Sequence, residues 1–72
     1  MEKQALMTVL ETESVIIFVK ANGDTREMSA VINPDQPVQY ENSDAVGVID
    51  TILNQYRAIK AHSVLSINGE MV

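Results

Sequence analysis

Apolar and polar positions divide the chain into short elements with two different periods. Within residues 1–12, Ala5, Leu6, Val9 and Leu10 recur at helical spacing, which predicts a short N-terminal helix. A helix of this length is marginal in isolation. We therefore expect it to cover one open end of a core, with a partner-binding helix as the alternative.

A β-hairpin is predicted next. Strands are indicated over Ser14–Lys20, which is rich in Val and Ile, and over Thr25–Ile32. The Asn22-Gly23 pair between them is a strong hairpin signal, because a type I′ turn needs positive φ at both central residues.

The register of this hairpin has two alternatives. A two-residue turn would place Ile17 opposite Met28. A three-residue loop over residues 22–24 would place Phe18 opposite Met28 and Lys20 opposite Arg26. A slip of one residue moves every side chain to the other face, so any patch formed by Lys20 and Arg26 depends on the register.

The second half of the chain begins with a predicted loop over Asn33–Ser43, where Pro34 and Pro37 remove backbone donors. The pattern over Asp44–His62 then has two interpretations. An amphipathic helix capped by Ser43 is slightly favoured by the stripe Ile49, Ile52, Leu53, Tyr56 and Ile59. The alternative is two strands, Val46–Asp50 and Gln55–Lys60, joined by a turn. Ser63–Ile67 is predicted to be a last strand, stopped by Asn68-Gly69.

Composition excludes several classes of protein. The chain has 72 residues, no cysteine, a formal net charge of -5 and 46% hydrophobic residues. These values predict one domain over residues 1–72, and they fit a reducing cytosol. No apolar run reaches the length of a membrane span, and no signal peptide is indicated, so we expect no membrane association.

Candidate chemistry is sparse. The only histidine, His62, lacks the further ligands of a zinc site, and we interpret it as a polar residue at a strand edge. Asp35, Glu41 and Asp44 do not have the spacing of a calcium loop. The scattered carboxylates are typical of a solvated surface, with nucleic-acid mimicry as the alternative. We therefore predict no catalytic residue, no metal site and no cofactor.

Four of the five basic residues are candidates for a small binding site. Lys20, Arg26, Arg57 and Lys60, together with the ring of Tyr56, offer the charge and stacking that single-strand or nucleotide binding uses. The alternative, which we prefer, is that Arg57 and Lys60 pair with Asp50 or Glu27 on the surface. For Asp50 itself, the simplest role is to accept backbone hydrogen bonds from the turn that follows it.

Two sequence blocks carry a family resemblance. The segment FVKANGDTREM, residues 18–28, resembles the motif Phe-x-Lys-x-x-Gly-x-x-Arg-x-Met. The segments VID (48–50), NQYRAIK (54–60) and SV (63–64) resemble Val-Trp-Asp, a short turn, Trp-Arg-x-Phe-Arg and Ser-Ile. The chain thus resembles the small WYL-like proteins of T-even-type tailed bacteriophages over residues 14–67. Ile49 and Tyr56 occupy the positions of the two family tryptophans. Ile59 occupies the position of the motif's Phe, and Lys60 that of its final Arg.

The resemblance implies a fold. That family is described as an Sm-like or SH3-like β-barrel, so Val46–Asp50 and Gln55–Lys60 become paired strands. The expected architecture is mainly β: a five-stranded antiparallel barrel over residues 14–67 behind a helix at 1–12. The alternative is an α+β fold with a helix at about 44–61.

The resemblance also implies a function. We expect a non-enzymatic phage accessory protein that binds a host protein in the host cell cytoplasm. The alternative is a nucleic-acid or nucleotide binder that uses Lys20, Arg26, Tyr56, Arg57 and Lys60. Because open strand edges pair readily, we also expect a homo-oligomer.

Overall fold

A computed structural model describes residues 1–37 and 42–72. Its elements are α1 (Lys3–Val9), β1 (Ser14–Val19), β2 (Thr25–Ile32), β3 (Ala45–Asp50), β4 (Gln55–Lys60), a 3₁₀ turn (Ala61–Ser63), β5 (Val64–Ile67) and β6 (Glu70–Met71). Part of the predicted loop at 33–43, including Glu41, lies outside the described residues.

The strands form a single antiparallel sheet in the order β4-β3-β2-β1-β5-β6. This arrangement confirms a mainly β chain with one short N-terminal helix. The sheet is not closed, because β4 and β6 are its edges. The prediction of five strands was wrong by one. Asn68 and Gly69 do not stop the chain but turn it into β6, with φ of 50° and 84°, the positive values of a type I′ turn.

The helix alternative at 44–61 was wrong, because β3 and β4 pair along their whole length. Of the apolar stripe that suggested a helix, Ile59 is buried, whereas Ile52 and Tyr56 are 79% and 69% exposed. Ser43 caps no helix; its Oγ accepts a hydrogen bond from Ala45 N at 3.1 Å, at the start of β3. Pairing in the sheet thus overrides a periodicity of the sequence.

The β1–β2 hairpin has neither of the predicted registers. Ile16 lies opposite Met28, and Phe18 lies opposite Arg26. Lys20 N donates to Asp24 O at 2.7 Å, and Gly23 N donates to Lys20 O at 2.9 Å, so the loop comprises residues 21–23. Lys20 is therefore opposite Asp24, not Arg26.

The core lies between α1 and one face of the sheet. Leu6 and Leu10 are fully buried and pack with Ile16, Val46 and Val48. The chain after α1 is tied to the sheet, because Ile32 N donates to Leu10 O at 2.8 Å. The predicted N-terminal helix is confirmed, although it is shorter than residues 1–12.

A candidate binding cleft beside edge strand β4

Asp50 organises the end of β3. Its side chain is 4% exposed, and Oδ2 accepts a hydrogen bond from Arg26 Nη2 at 3.1 Å. Oδ1 accepts from Ile52 N at 3.1 Å and from Leu53 N at 3.0 Å. The role predicted for Asp50 in the following turn is confirmed. Its basic partner is Arg26. No ion pair among the described residues involves Arg57 or Lys60, so the expected pairing of these two with Asp50 or Glu27 was wrong.

Arg57 and Tyr56 lie on opposite faces of β4. Arg57 is opposite Val48, and Tyr56 is opposite Ile49; residues opposite one another in an antiparallel pair share a face. The Arg57 guanidinium donates to the side-chain oxygen of Gln55. The five predicted binding residues therefore do not form one patch: Arg26 is held by Asp50, and Arg57 faces away from Tyr56.

Lys20 and Lys60 are brought together by the fold. Both line a cleft of about 600 Å³ where β4 and the 3₁₀ turn approach the ends of β1 and β5. The lining is mostly apolar and comprises Phe18, Val19, Lys20, Ala21, Ala58, Ile59, Lys60, His62, Ser63 and Leu65. Within the described residues, the ammonium groups of Lys20 and Lys60 form no hydrogen bond or ion pair with another group of the chain.

The backbone of β4 has a free side next to this cleft. Ala61 N donates to Asp44 O at 3.0 Å, in the same register as the β3–β4 ladder. Hydrogen-bonded pairs alternate along an antiparallel ladder, so the odd-numbered residues of β4 bond to β3. The N–H and C=O groups of Tyr56 and Ala58 consequently point outward, as does Lys60 N–H. The Lys60 carbonyl instead accepts a hydrogen bond from Ser63 Oγ at 2.7 Å.

His62 lies at one end of the cleft, in the 3₁₀ turn rather than at a strand edge as predicted. Asp44 Oδ2 accepts a hydrogen bond from His62 N at 2.6 Å and lies 2.6 Å from His62 Nδ1. The backbone N–H of His62 is the main reason that the pKa of Asp44 is lowered from its ordinary value. This pair holds the 3₁₀ turn against the start of β3.

Another carboxylate links β1 to the β3–β4 turn. The hydroxyls of Thr51 and Ser29 hold the pKa of Glu13 below its ordinary value. Ser29 Oγ donates to Glu13 Oε2 at 3.0 Å, and Thr51 Oγ1 lies 2.8 Å from Ser29 Oγ. Among residues 1–37 and 42–72, no group of three or more His, Asp or Glu side chains is placed to hold a metal ion.

Sequence reasoning found two of the polar residues of the cleft but missed its apolar lining. Leu65 is 40% exposed, between buried Val64 and Ser66, and lies where the β1–β5 register shifts. Phe18 and Ile59 come from strands that are not neighbours in the sheet. No local pattern in the sequence marks these residues as one site.

Comparisons of the chain with protein-family models, with characterised proteins and with solved structures give no match. In the part of the chain that the structure describes, no helix is long and apolar enough to cross a membrane.

Proposed function

We propose that this chain is a small, non-enzymatic binding module that engages another protein through edge strand β4 and the adjoining cleft. One observation carries the proposal: an exposed strand with free backbone groups borders a mostly apolar cleft of about 600 Å³. Edge strands recruit extended peptides through main-chain hydrogen bonds, and a neighbouring pocket adds specificity for side chains.

The biological setting is part of the same proposal. The two sequence blocks that resemble WYL-like phage proteins support a phage accessory protein that acts on a host protein in the bacterial cytoplasm. One helix followed by short antiparallel strands supports the Sm-like or SH3-like barrel class as the finer description of the fold.

The proposal also includes self-association through the other edge of the sheet. Met71 on β6 and Val72 beside it are 86% and 57% exposed. Burying such side chains against a second copy removes apolar surface from water. Light scattering should give at least a dimer mass, and a monomer mass at all concentrations would refute this part of the proposal.

Affinity capture from a bacterial lysate tests the main proposal, with Ala58→Pro as the comparison. Proline at this position removes a backbone donor that points outward, so the β3–β4 ladder keeps its hydrogen bonds. A partner retained by the wild-type chain and lost with Ala58→Pro supports binding at the β4 edge. The proposal fails if every captured protein binds both forms equally, provided that circular dichroism shows the variant folded.

Nucleic-acid binding is the second candidate function. Its support is the 69% exposed ring of Tyr56, on the same face of β4 as Lys60, because an exposed ring can stack on a base. A labelled oligothymidylate should then bind more weakly to Tyr56→Ala and at higher salt. Absence of binding at low salt would remove this candidate.

A further inference from the structure

We infer that the β4 edge selects an extended acidic peptide, which adds as a strand along Tyr56–Lys60 and places a carboxylate between Lys20 and Lys60. This inference rests on the proposed function and names the partner's chemistry. Three features of the structure carry it: the charge of β4, the position of the two lysines and the free backbone groups.

The charge of β4 favours some partner strands over others. Its sequence, QYRAIK, has two cations and no acid, whereas the whole chain has a formal net charge of -5. Two copies of β4 pairing with each other would bring like charges together across the new ladder, which is destabilising. An acidic strand would meet opposite charges instead, so β4 is suited to a foreign acidic segment and not to a second β4.

The cleft provides a place for specific side chains of that segment. Lys20 and Lys60 are both exposed and line the same opening, so their ammonium groups can neutralise a carboxylate at modest desolvation cost. Phe18 and Leu65 provide an apolar surface beside them. Alternate residues of an added strand point to one face, so the segment should alternate acidic and apolar residues, with its acids on the face of Lys60.

Backbone bonding distinguishes strand addition from simple charge attraction. The outward N–H and C=O groups of Tyr56 and Ala58 and the N–H of Lys60 can bond an incoming strand without changing the β3–β4 ladder. A ligand held this way needs its own backbone N–H groups. A polyanion held by charge alone does not need them.

The probes are fluorescein-labelled peptides of about ten residues, long enough to follow the whole of β4. A peptide of alternating Val and Glu is compared with alternating Val-Ser and alternating Val-Lys peptides. The third comparison is the Val-Glu peptide N-methylated at every second residue, made once with the Val and once with the Glu residues methylated. Fluorescence anisotropy should show binding of Val-Glu and at least a tenfold weaker affinity for the other three. Oligothymidylate of the same length is the polyanion control.

The matched variants change one charge each. Lys60→Gln and Lys20→Gln should each weaken Val-Glu binding by roughly threefold to tenfold. Arg57→Gln is the control, because it removes an equal charge from the opposite face of β4. It should change the affinity for the Val-Glu peptide by less than about twofold. Ala58→Pro should abolish binding, and circular dichroism checks that this variant is folded.

Three results would overturn the inference: no binding of Val-Glu, equal binding of Val-Glu and Val-Lys, or equal binding of the N-methylated peptide. Tighter binding of oligothymidylate than of Val-Glu would also overturn it and favour the nucleic-acid alternative. A partner captured from lysate and lost with Ala58→Pro would still support the proposed function, so the two failures are distinguishable.

Discussion

Arg26 and Asp50 form an ion pair across the sheet, with Arg26 Nη2 3.1 Å from Asp50 Oδ2. The same carboxylate accepts the N–H groups of Ile52 and Leu53 through its other oxygen. One buried acid thus fixes the β3–β4 turn and also removes a basic residue from the set available to a ligand. The pair is structural, and the candidate site is left to Lys20 and Lys60.

Asp50→Ala should therefore destabilise the fold strongly. It leaves Arg26 without its partner and removes the acceptor for two backbone donors of the turn. We expect a loss of about 2–3 kcal/mol in the free energy of unfolding, measured by urea denaturation. Glu27→Ala is the control: it removes an exposed acid from β2 and should change stability by less than about 0.5 kcal/mol. Equal effects of the two substitutions would contradict the structural role of Asp50.

Gly23→Ala should destabilise the first hairpin through its backbone alone. Gly23 has a φ of +92°, and an added Cβ would meet no atom within 4 Å. The cost is then that of forcing an L-residue into the left-handed region, about 1–2 kcal/mol.

Gly69→Ala is a matched comparison for this prediction. Gly69 has a φ of +84° and equally open surroundings, but it leads only into the two-residue edge strand β6. Release of β6 can relieve the strain locally. Hydrogen exchange should show faster exchange confined to β6 for Gly69→Ala, and a decrease in global stability for Gly23→Ala.

Leu6→Ala should bring the chain close to unfolding. Leu6 is fully buried in α1 against the core, and such truncations cost about 2–5 kcal/mol. Domains of this size have a total stability of only about 4–11 kcal/mol, at 0.05–0.15 kcal/mol per residue. Leu53→Ala, at a position 52% exposed, provides the control for the same chemical change. Similar shifts in the urea midpoint for both variants would show that α1 is not part of the core.

The Asp44–His62 contact should make the folding stability depend on pH. The native state lowers the pKa of Asp44 below 3.8, so its contribution is present above that pH and is lost as the pH falls through the lower native value. Asp44→Asn should therefore be less stable than the wild-type chain at pH 7. This difference should shrink as the pH is lowered from 4 towards 2, as followed by thermal denaturation. If the stability difference between Asp44→Asn and the wild-type chain stays constant with pH, the ionised Asp44 carboxylate does not stabilise the fold.

Much of the fold could be predicted, because strand composition and turn residues act locally. The two strand segments on either side of residues 51–54 depended on the family resemblance, since the apolar stripe of Ile52 and Tyr56 favoured a helix. That stripe fails in the structure because both side chains are exposed. Which apolar residues are buried is decided by pairing with distant strands, and periodicity within one segment does not contain that information.

Hairpin register shows the same limit. The chain contains two Asn-Gly pairs, yet only Asn68-Gly69 forms the two-residue turn that such a pair predicts. At Asn22-Gly23, the loop is one residue longer, and Ile16 rather than Ile17 lies opposite Met28. Burial of Ile16 and Met28 on the same core face excludes the register of the two-residue turn, which differs by one residue, and it outweighs the local preference of the turn.

The site was predictable only in part, for a related reason. Counting basic residues found Lys20 and Lys60, but it also included Arg26, whose partner lies 24 residues away in the chain. It also grouped Tyr56 with Arg57, although consecutive strand residues point to opposite faces. The residue types suggested a binding site. Which of these side chains are available to a ligand depends on the strand face on which each lies and on its partners, and both are set by the folded sheet.

The pairing of β1 with β5 has a consequence for the order of folding. β1 meets β2 through a loop of a few residues, whereas its other neighbour, β5, is more than forty residues further along, with Phe18 opposite Val64. Closing that long loop costs more entropy than forming the local hairpins. The β1–β5 contact is therefore expected late in folding, after the β1–β2 and β3–β4 hairpins. The cleft is lined by residues at the end of β1 and the start of β5, so it is complete only after this late contact has formed. The proposed binding of a partner should therefore require the fully folded chain.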